Sequence, residues 1–210
     1  MSGRRVYVIG VGLTRFVKPG QDKKLDYPQL GKEAVVKALE DAKIDYNQVQ
    51  HATCGFVYGD STCGQKVLYE VGMTGIPIVN VNNNCATGST ALWTSKKLVE
   101  GGVIDCALAL GFEKMCRGAL TSKYNDRTNP MQTHLDLYDQ LFGIEQAPVT
   151  AQLFGQAGKE HMKKYGTKLE HFAKVAYKNH KHSRHNPYAQ FRDEYTLEEI
   201  MGATSVSLSY

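Results

Sequence analysis

Short β-branched runs alternate with amphipathic helical stretches through the first half of the chain, and that alternation implies a parallel sheet with helices packed on it. Residues 5–11 (RVYVIGV) are a β-branched run ending at Gly12 and predict a buried strand. Tyr27 and Pro28 open a helix whose Leu30, Ala34, Val35, Ala38 and Ala42 share one face. Further strands are expected over 52–58, 76–81 (IPIVNV) and 106–110 (CALAL), with a short helix over 66–71 and a longer one over 85–99 stopped by Gly101 and Gly102. The reading is an α/β fold with a doubly wound, mostly parallel sheet.

The texture changes after about Lys114. Residues 117–148 are polar and dotted with aromatics, an excursion from the sheet. Helices are expected over 149–165, stopped by Gly166, and from Leu169 onward, where Leu169, Phe172, Ala173, Ala176 and His180 form an inner face. Thr167 with Glu170, and Thr196 with Glu199, have capping-box spacing. Three segments follow: an α/β unit over 1–116, a helical loop subdomain over 117–201, and a divergent tail over 202–210.

Composition narrows the function classes. The net charge of +4 suits anionic small molecules but is too mild and dispersed to argue for nucleic acid. The five cysteines, Cys54, Cys63, Cys85, Cys106 and Cys116, are odd in number and form no C-x-x-C pair, so neither a zinc ribbon nor a redox motif is on offer. Free thiols and a reducing compartment are expected. No run is long enough for a signal-peptide core or a membrane span. Gly10-x-Gly12-x-x-Arg15 follows the first predicted strand, but its third position is Arg and no acidic residue closes a second strand at the right distance; a strand-ending turn is the better account than a dinucleotide site.

The informative stretch is Asn82-Asn83-Asn84-Cys85-Ala86-Thr87-Gly88-Ser89. A strand enters a sharp turn, a cysteine stands at the first helical position, and small residues follow. Unpaired amides and the helix dipole stabilise a thiolate at such a place. A free thiol with a pKa of about 8.5 is only a few per cent ionised at neutral pH, and lowering it by about 1.5 makes it about half ionised. Ala86, Thr87, Gly88 and Ser89 leave room for an acyl thioester, and the Cys85 N–H is positioned to meet its oxyanion. The competing reading is a buried structural cysteine.

IPIVNVNNNCATGSTAL resembles the nucleophile segment of the thiolase superfamily, specifically its sterol carrier protein X type. RVYVIGVGLTRF, GFEKM at 111–115 and APVTAQLFGQAGKEHMKKYGT at 147–167 agree with it, and the likeness runs to about Met201. The resemblance implies a thiolase-like N-terminal half in which Cys85 takes an acyl group from a 3-oxoacyl-coenzyme A and passes it to free coenzyme A. That co-substrate is not a permanently bound cofactor. Branched-chain and bile-acid-precursor thioesters and a peroxisomal setting belong to the same implication, although Ser207-Leu208-Ser209-Tyr210 is no peroxisomal address and leaves the cytoplasm open.

In this family the activating histidine and a second acid/base cysteine belong to a C-terminal half, and no Gly-His-Pro segment is present here. The chain thus reads as a truncated or alternatively ended form, with little turnover expected alone. Its rival reading is a non-catalytic isoform serving as a lipid- or acyl-coenzyme-A-binding or dimerisation module. Either a homodimer or pairing with a full-length thiolase subunit is expected, through the edge over 76–81. Among the seven histidines only His134 has a route to Cys85 as an internal base. The basic run from His180 to His185, with Lys174 and Lys178, is read first as a solvated helical face. Its functional rival places Lys181 and Arg184 on the phosphates of coenzyme A. No metal site is expected there, because residues i and i+2 of a helix point apart.

Overall fold

The computed structural model describes residues 3–21, 25–116 and 124–203, and its chain forms two compact units that divide after Arg117. Of the tail expected over 202–210, residues 204–210 lie outside the described residues, as does the segment 117–123.

The first unit is a three-stranded parallel sheet in the order β2-β1-β3. Strand β1 is His51–Gly55, β2 is Ile78–Val81 and β3 is Ala107–Gly111. In the central strand Ala52 pairs with Ile78 on one side and with Leu108 on the other, and the register runs on to Gly55 opposite Val81 and Gly111. Successive side chains of a strand face opposite ways. Ala52 and Cys54 therefore meet one helical layer while Thr53 and Gly55 meet another.

On the first face lie α1 (Tyr27–Ala42) and α2 (Cys63–Tyr69). Val35, Val67 and Leu68 from these helices join Ala52, Cys54 and Leu110 in the core. Asp26 caps α1 by accepting the N–H of Tyr27 at 2.7 Å, with Pro28 in the first turn. A side chain at Gly31 would meet Val67 at 2.5 Å, so this glycine lets α1 and α2 touch. On the opposite face lies α3 (Thr87–Glu100), whose Thr87, Ala91 and Ser95 make a buried stripe of small residues at four-residue spacing. The Ser95 hydroxyl lies 3.3 Å from both Thr53 Oγ1 and the Leu108 carbonyl, fixing the helix over β1 and β3. Helices thus cover both faces, the doubly wound arrangement expected.

The predicted strand over 5–11 is the main correction. The segment joins no ladder; it runs beside α1, with Tyr7 70%, Val8 72% and Val11 68% exposed. Its backbone groups bond to the helix instead: Val11 N–H donates to Asp41 Oδ2 at 2.9 Å, and Lys37 Nζ donates to the Leu13 carbonyl at 3.1 Å. A Cβ on Gly10 would fall 2.3 Å from the Ala38 carbonyl, and one on Gly12 2.0 Å from that of Ala34. The two glycines serve close backbone approach to α1, not a strand-ending turn.

The second unit is helical: α4 (Gln132–Phe142), α5 (Val149–Tyr165), α6 (Leu169–Ser183) and α7 (Leu197–Gly202). Helix α4 falls inside the stretch 117–148, read as an excursion from the sheet with no helix assigned to it. Gln152 of α5 is buried; it accepts the Glu145 N–H at 3.0 Å and donates to the carbonyls of Glu145 and Ala147, which pins the turn before α5. Thr196 and Glu199 form the capping box expected at α7. At α6 the expected box is absent: Thr167 Oγ1 pairs with His161 Nδ1 at 2.9 Å, and Lys168 N–H donates to His171 Nδ1. Of the inner face predicted for α6, Ala173 is buried, while Leu169 and Phe172 remain 40% and 37% exposed. Among the described residues no helix is long and apolar enough to cross a membrane.

Candidate active site

The three parallel strands all end toward the same edge, the place where open α/β sheets bind ligands. The chain leaves β2 into Asn82-Asn83-Asn84-Cys85, leaves β1 into Val57 and Tyr58, and leaves β3 into Glu113. Cys85 is exposed, and so is Cys116; Cys54 and Cys63 are buried, and all five cysteines are free thiols.

The turn carrying Cys85 is cross-tied by side chains. Asn84 adopts a left-handed backbone (φ 49°), a conformation asparagine tolerates better than most residues. Its N–H donates to Asn82 Oδ1 at 3.1 Å. Thr87 Oγ1 accepts the Asn83 N–H at 2.9 Å and donates to the Asn84 carbonyl at 2.5 Å. Asn83 Nδ2 donates to Thr90 Oγ1 at 3.0 Å. Amides of Ala86 and Thr87 fold back onto the carbonyls of Asn83 and Asn84, so a tight turn leads into α3.

Cys85 accordingly stands two residues before the first helical residue, Thr87, not at it. The left-handed Asn84 delays the helix. Thr87 is also reassigned. It is 4% exposed and packs under the turn, so it does not line space for an acyl group, whereas Ala86, Gly88 and Ser89 are exposed.

Around this turn Glu113 accepts the N–H groups of Val57 (2.8 Å) and Tyr58 (3.2 Å), tying the loops after β1 and β3 together. Burial, followed by the charges of Glu113, Cys85 and Cys116, pushes the Tyr58 phenol above its ordinary value. Tyr58 thus faces the same electrostatic neighbourhood as both exposed thiols. The upstream strand is held as firmly: Asn80 Oδ1 accepts the Gly64 N–H at 2.9 Å, Asn80 Nδ2 donates to Gln65 Oε1 at 2.7 Å, and Gln65 Nε2 donates to the Ile78 carbonyl. Nothing in the local pattern singles out Asn80 or Glu113; their side-chain bonds to Gly64 and Gln65, and to Val57 and Tyr58, make them visible.

The other predicted residues lie in the second unit. His134 is exposed on α4. Lys181 is exposed in the last turn of α6, and Arg184 caps that helix. The Arg184 guanidinium pairs with Glu194, whose carboxyl it holds below the usual range, and the Arg184 carbonyl accepts two N–H groups of Arg192. Among the described residues no group of three His, Cys, Asp or Glu is placed to hold a metal ion.

Fold and turn together define a thiolase-type α/β unit, and residues 6–205 match the family "Thiolase, N-terminal domain". The chain belongs to the thiolase family. It is 59% identical over 204 residues to human sterol carrier protein 2, covering 97% of this chain and 37% of that protein. It is 49% identical over 205 residues to non-specific lipid-transfer protein-like 2 of Caenorhabditis elegans, covering 96% of this chain and 50% of that one. Human mitochondrial 3-ketoacyl-CoA thiolase, solved in complex with CoA, shares the fold with a TM-score of 0.68 at 17% identity over 95% of this chain and 57% of that one. The Ltp2-ChsH2(DUF35) aldolase has a TM-score of 0.69 at 20% identity over 96% of this chain and 49% of that chain. The 210 residues therefore span between about a third and a half of these sequence relatives.

Proposed function

We propose that this chain is the nucleophile-bearing part of a thiolase acting on 3-oxoacyl-coenzyme A thioesters, those with branched and sterol side chains among them, in peroxisomal lipid oxidation. The Cys85 sulfur attacks the β-carbonyl carbon. The bond between the α and β carbons breaks, and the leaving carbanion takes a proton to become the shorter acyl-coenzyme A. Free coenzyme A then attacks the acyl group on Cys85, loses its thiol proton, and releases the second product.

One observation carries the reading: an exposed cysteine in a cross-tied turn at the carboxyl edge of a parallel sheet, two residues before a helix. Helix entrances supply backbone amides and a dipole that favour a thiolate and a developing oxyanion, which supports the reading. The activating base is expected from another part of a complete thiolase, as the family resemblance implies. Without the proper base turnover falls by about two to four orders of magnitude. Lys181 and Arg184 are assigned to coenzyme A phosphates, an arrangement in which Arg184 must share its charge between a phosphate and Glu194.

Alkylation of the native chain by iodoacetamide, read by peptide mass, tests this reading. Cys85 should label faster than Cys116, which is also exposed; equal rates contradict a poised nucleophile.

A second reading, a non-catalytic binding or pairing module, is favoured by the edge position of β2, where Val79 is 43% exposed. Co-purification with a complete thiolase subunit supports it, and a monomer that binds no thiolase subunit counts against it.

A further inference from the structure

We infer that Thr87 is the positioning residue for the Cys85 thiol, acting through its hydroxyl rather than through its bulk. The inference rests on the reading of Cys85 as the nucleophile. Thr87 is 4% exposed, and its single oxygen is used twice on the two residues immediately before Cys85. It accepts from the Asn83 N–H at 2.9 Å and donates to the Asn84 carbonyl at 2.5 Å. Those bonds hold Asn84 in its left-handed conformation, at φ 49°, which sets the direction in which Cys85 leaves the turn. A threonine that only filled space would need neither bond.

The anchor beneath Thr87 is equally specific. A Cβ built on Gly55, the last residue of the central strand, would lie 2.6 Å from the Thr87 methyl and 3.0 Å from its carbonyl oxygen. The absent side chain at Gly55 is what lets Thr87 sit against the strand. Asn83, Asn84 and Cys85 are exposed, so the turn has little packing of its own to define it. The buried hydroxyl links an exposed turn to the rigid sheet, which is how a site on a loop acquires a fixed geometry.

Thr87→Val removes the hydroxyl and keeps the shape; Thr87→Ser keeps the hydroxyl and removes the methyl. Iodoacetamide labelling of the full chain, scored as the rate at Cys85 divided by the rate at Cys116, separates the two. Thr87→Val should lower that ratio about tenfold, the factor that accompanies loss of one hydrogen-bonded restraint, whereas Thr87→Ser stays within about twofold of wild type. Buried Cys54 reports folding, because it labels only when the core opens. Should Thr87→Val expose Cys54, Thr87→Ser carries the test alone: a preserved ratio supports the hydroxyl, and a ratio that collapses with Cys54 still protected overturns it. A wild-type ratio of one removes the nucleophile reading and the inference with it. A high wild-type ratio with Thr87→Val and Thr87→Ser indistinguishable removes the positioning role only.

Discussion

Asn80 on β2 accepts, through its side-chain oxygen, the N–H of Gly64 in the first turn of α2 at 2.9 Å. A helix is thus capped by a residue of the strand that delivers the nucleophile turn, not by its own N-terminal neighbour. Thr62, which precedes α2 with a left-handed backbone, makes no capping bond. Replacing Asn80 by Ala leaves one orphan amide and breaks the link to Gln65. The expected loss is about 1–2 kcal/mol in chemical denaturation, the range for removing a cap.

Gly55 gives a sharper prediction. A methyl group there meets Thr87 at 2.6 Å from one side, with backbone at 3.0 Å, and the central strand has no freedom to retreat. Gly55→Ala should destabilise by about 1–3 kcal/mol through overpacking, read as a lower denaturation midpoint with an unchanged slope. It should also slow Cys85 labelling, since Thr87 is the atom group displaced.

The cysteines differ in a way mass labelling can resolve. Burial raises the Cys54 thiol to about 12, so it stays protonated and shielded at any mildly alkaline pH. Cys54 should remain unmodified in the native chain and react at the ordinary rate in denaturant. Native-state modification of Cys54 matching that of Cys116 would contradict the packing of β1 described above.

His51 makes stability depend on pH. Its imidazole is held below 6.5 by burial, and its Nδ1 is buried with no hydrogen-bond partner. The neutral form is therefore the folded one. The unfolded chain binds the proton more readily, so stability is full above the unfolded value of about 6.5 and is lost as the pH falls below it. His51→Gln should flatten the fall in Tm between about pH 7 and about pH 5 relative to wild type.

Charge at the end of α6 tests the coenzyme A assignment. Reversing Lys181 and Arg184 to Glu should weaken coenzyme A binding, measured by calorimetry, and Glu194→Gln should strengthen it by freeing Arg184. Neither change should shift the denaturation midpoint appreciably, because the Arg184–Glu194 pair is solvent-exposed. Unaltered affinity in both variants would leave Lys181 and Arg184 as an ordinary solvated face.

Much of this molecule is legible in its residues, and the failures have physical causes. The three strands of the ladder, the helix following the nucleophile turn and the bounds of α5 all follow from hydrophobic period and glycine stops. Residues 5–11 mislead because a β-branched run states only that a segment is extended and apolar; whether a partner strand lies beside it is a tertiary fact. Helix α4 is missed because Gln132, Asp136, Asp139 and Gln140 dilute its apolar stripe. Cys85 could be singled out from its turn and the small residues after it. Spacing sets Thr87, one of those small residues, beside open space, because a local pattern does not tell which way a side chain at a helix entrance turns. Its role rests on a contact with Gly55 thirty-odd positions earlier, which no local pattern encodes.

The central claim is that Cys85 accepts an acyl group. The direct measurement is peptide mass analysis of the full chain after incubation with a 3-oxoacyl-coenzyme A and acid quenching, alongside Cys85→Ala. An acyl mass on the peptide bearing Cys85, lost in Cys85→Ala, is the predicted result. Acylation that persists in Cys85→Ala, or that falls on Cys116 as readily as on Cys85, would contradict the account.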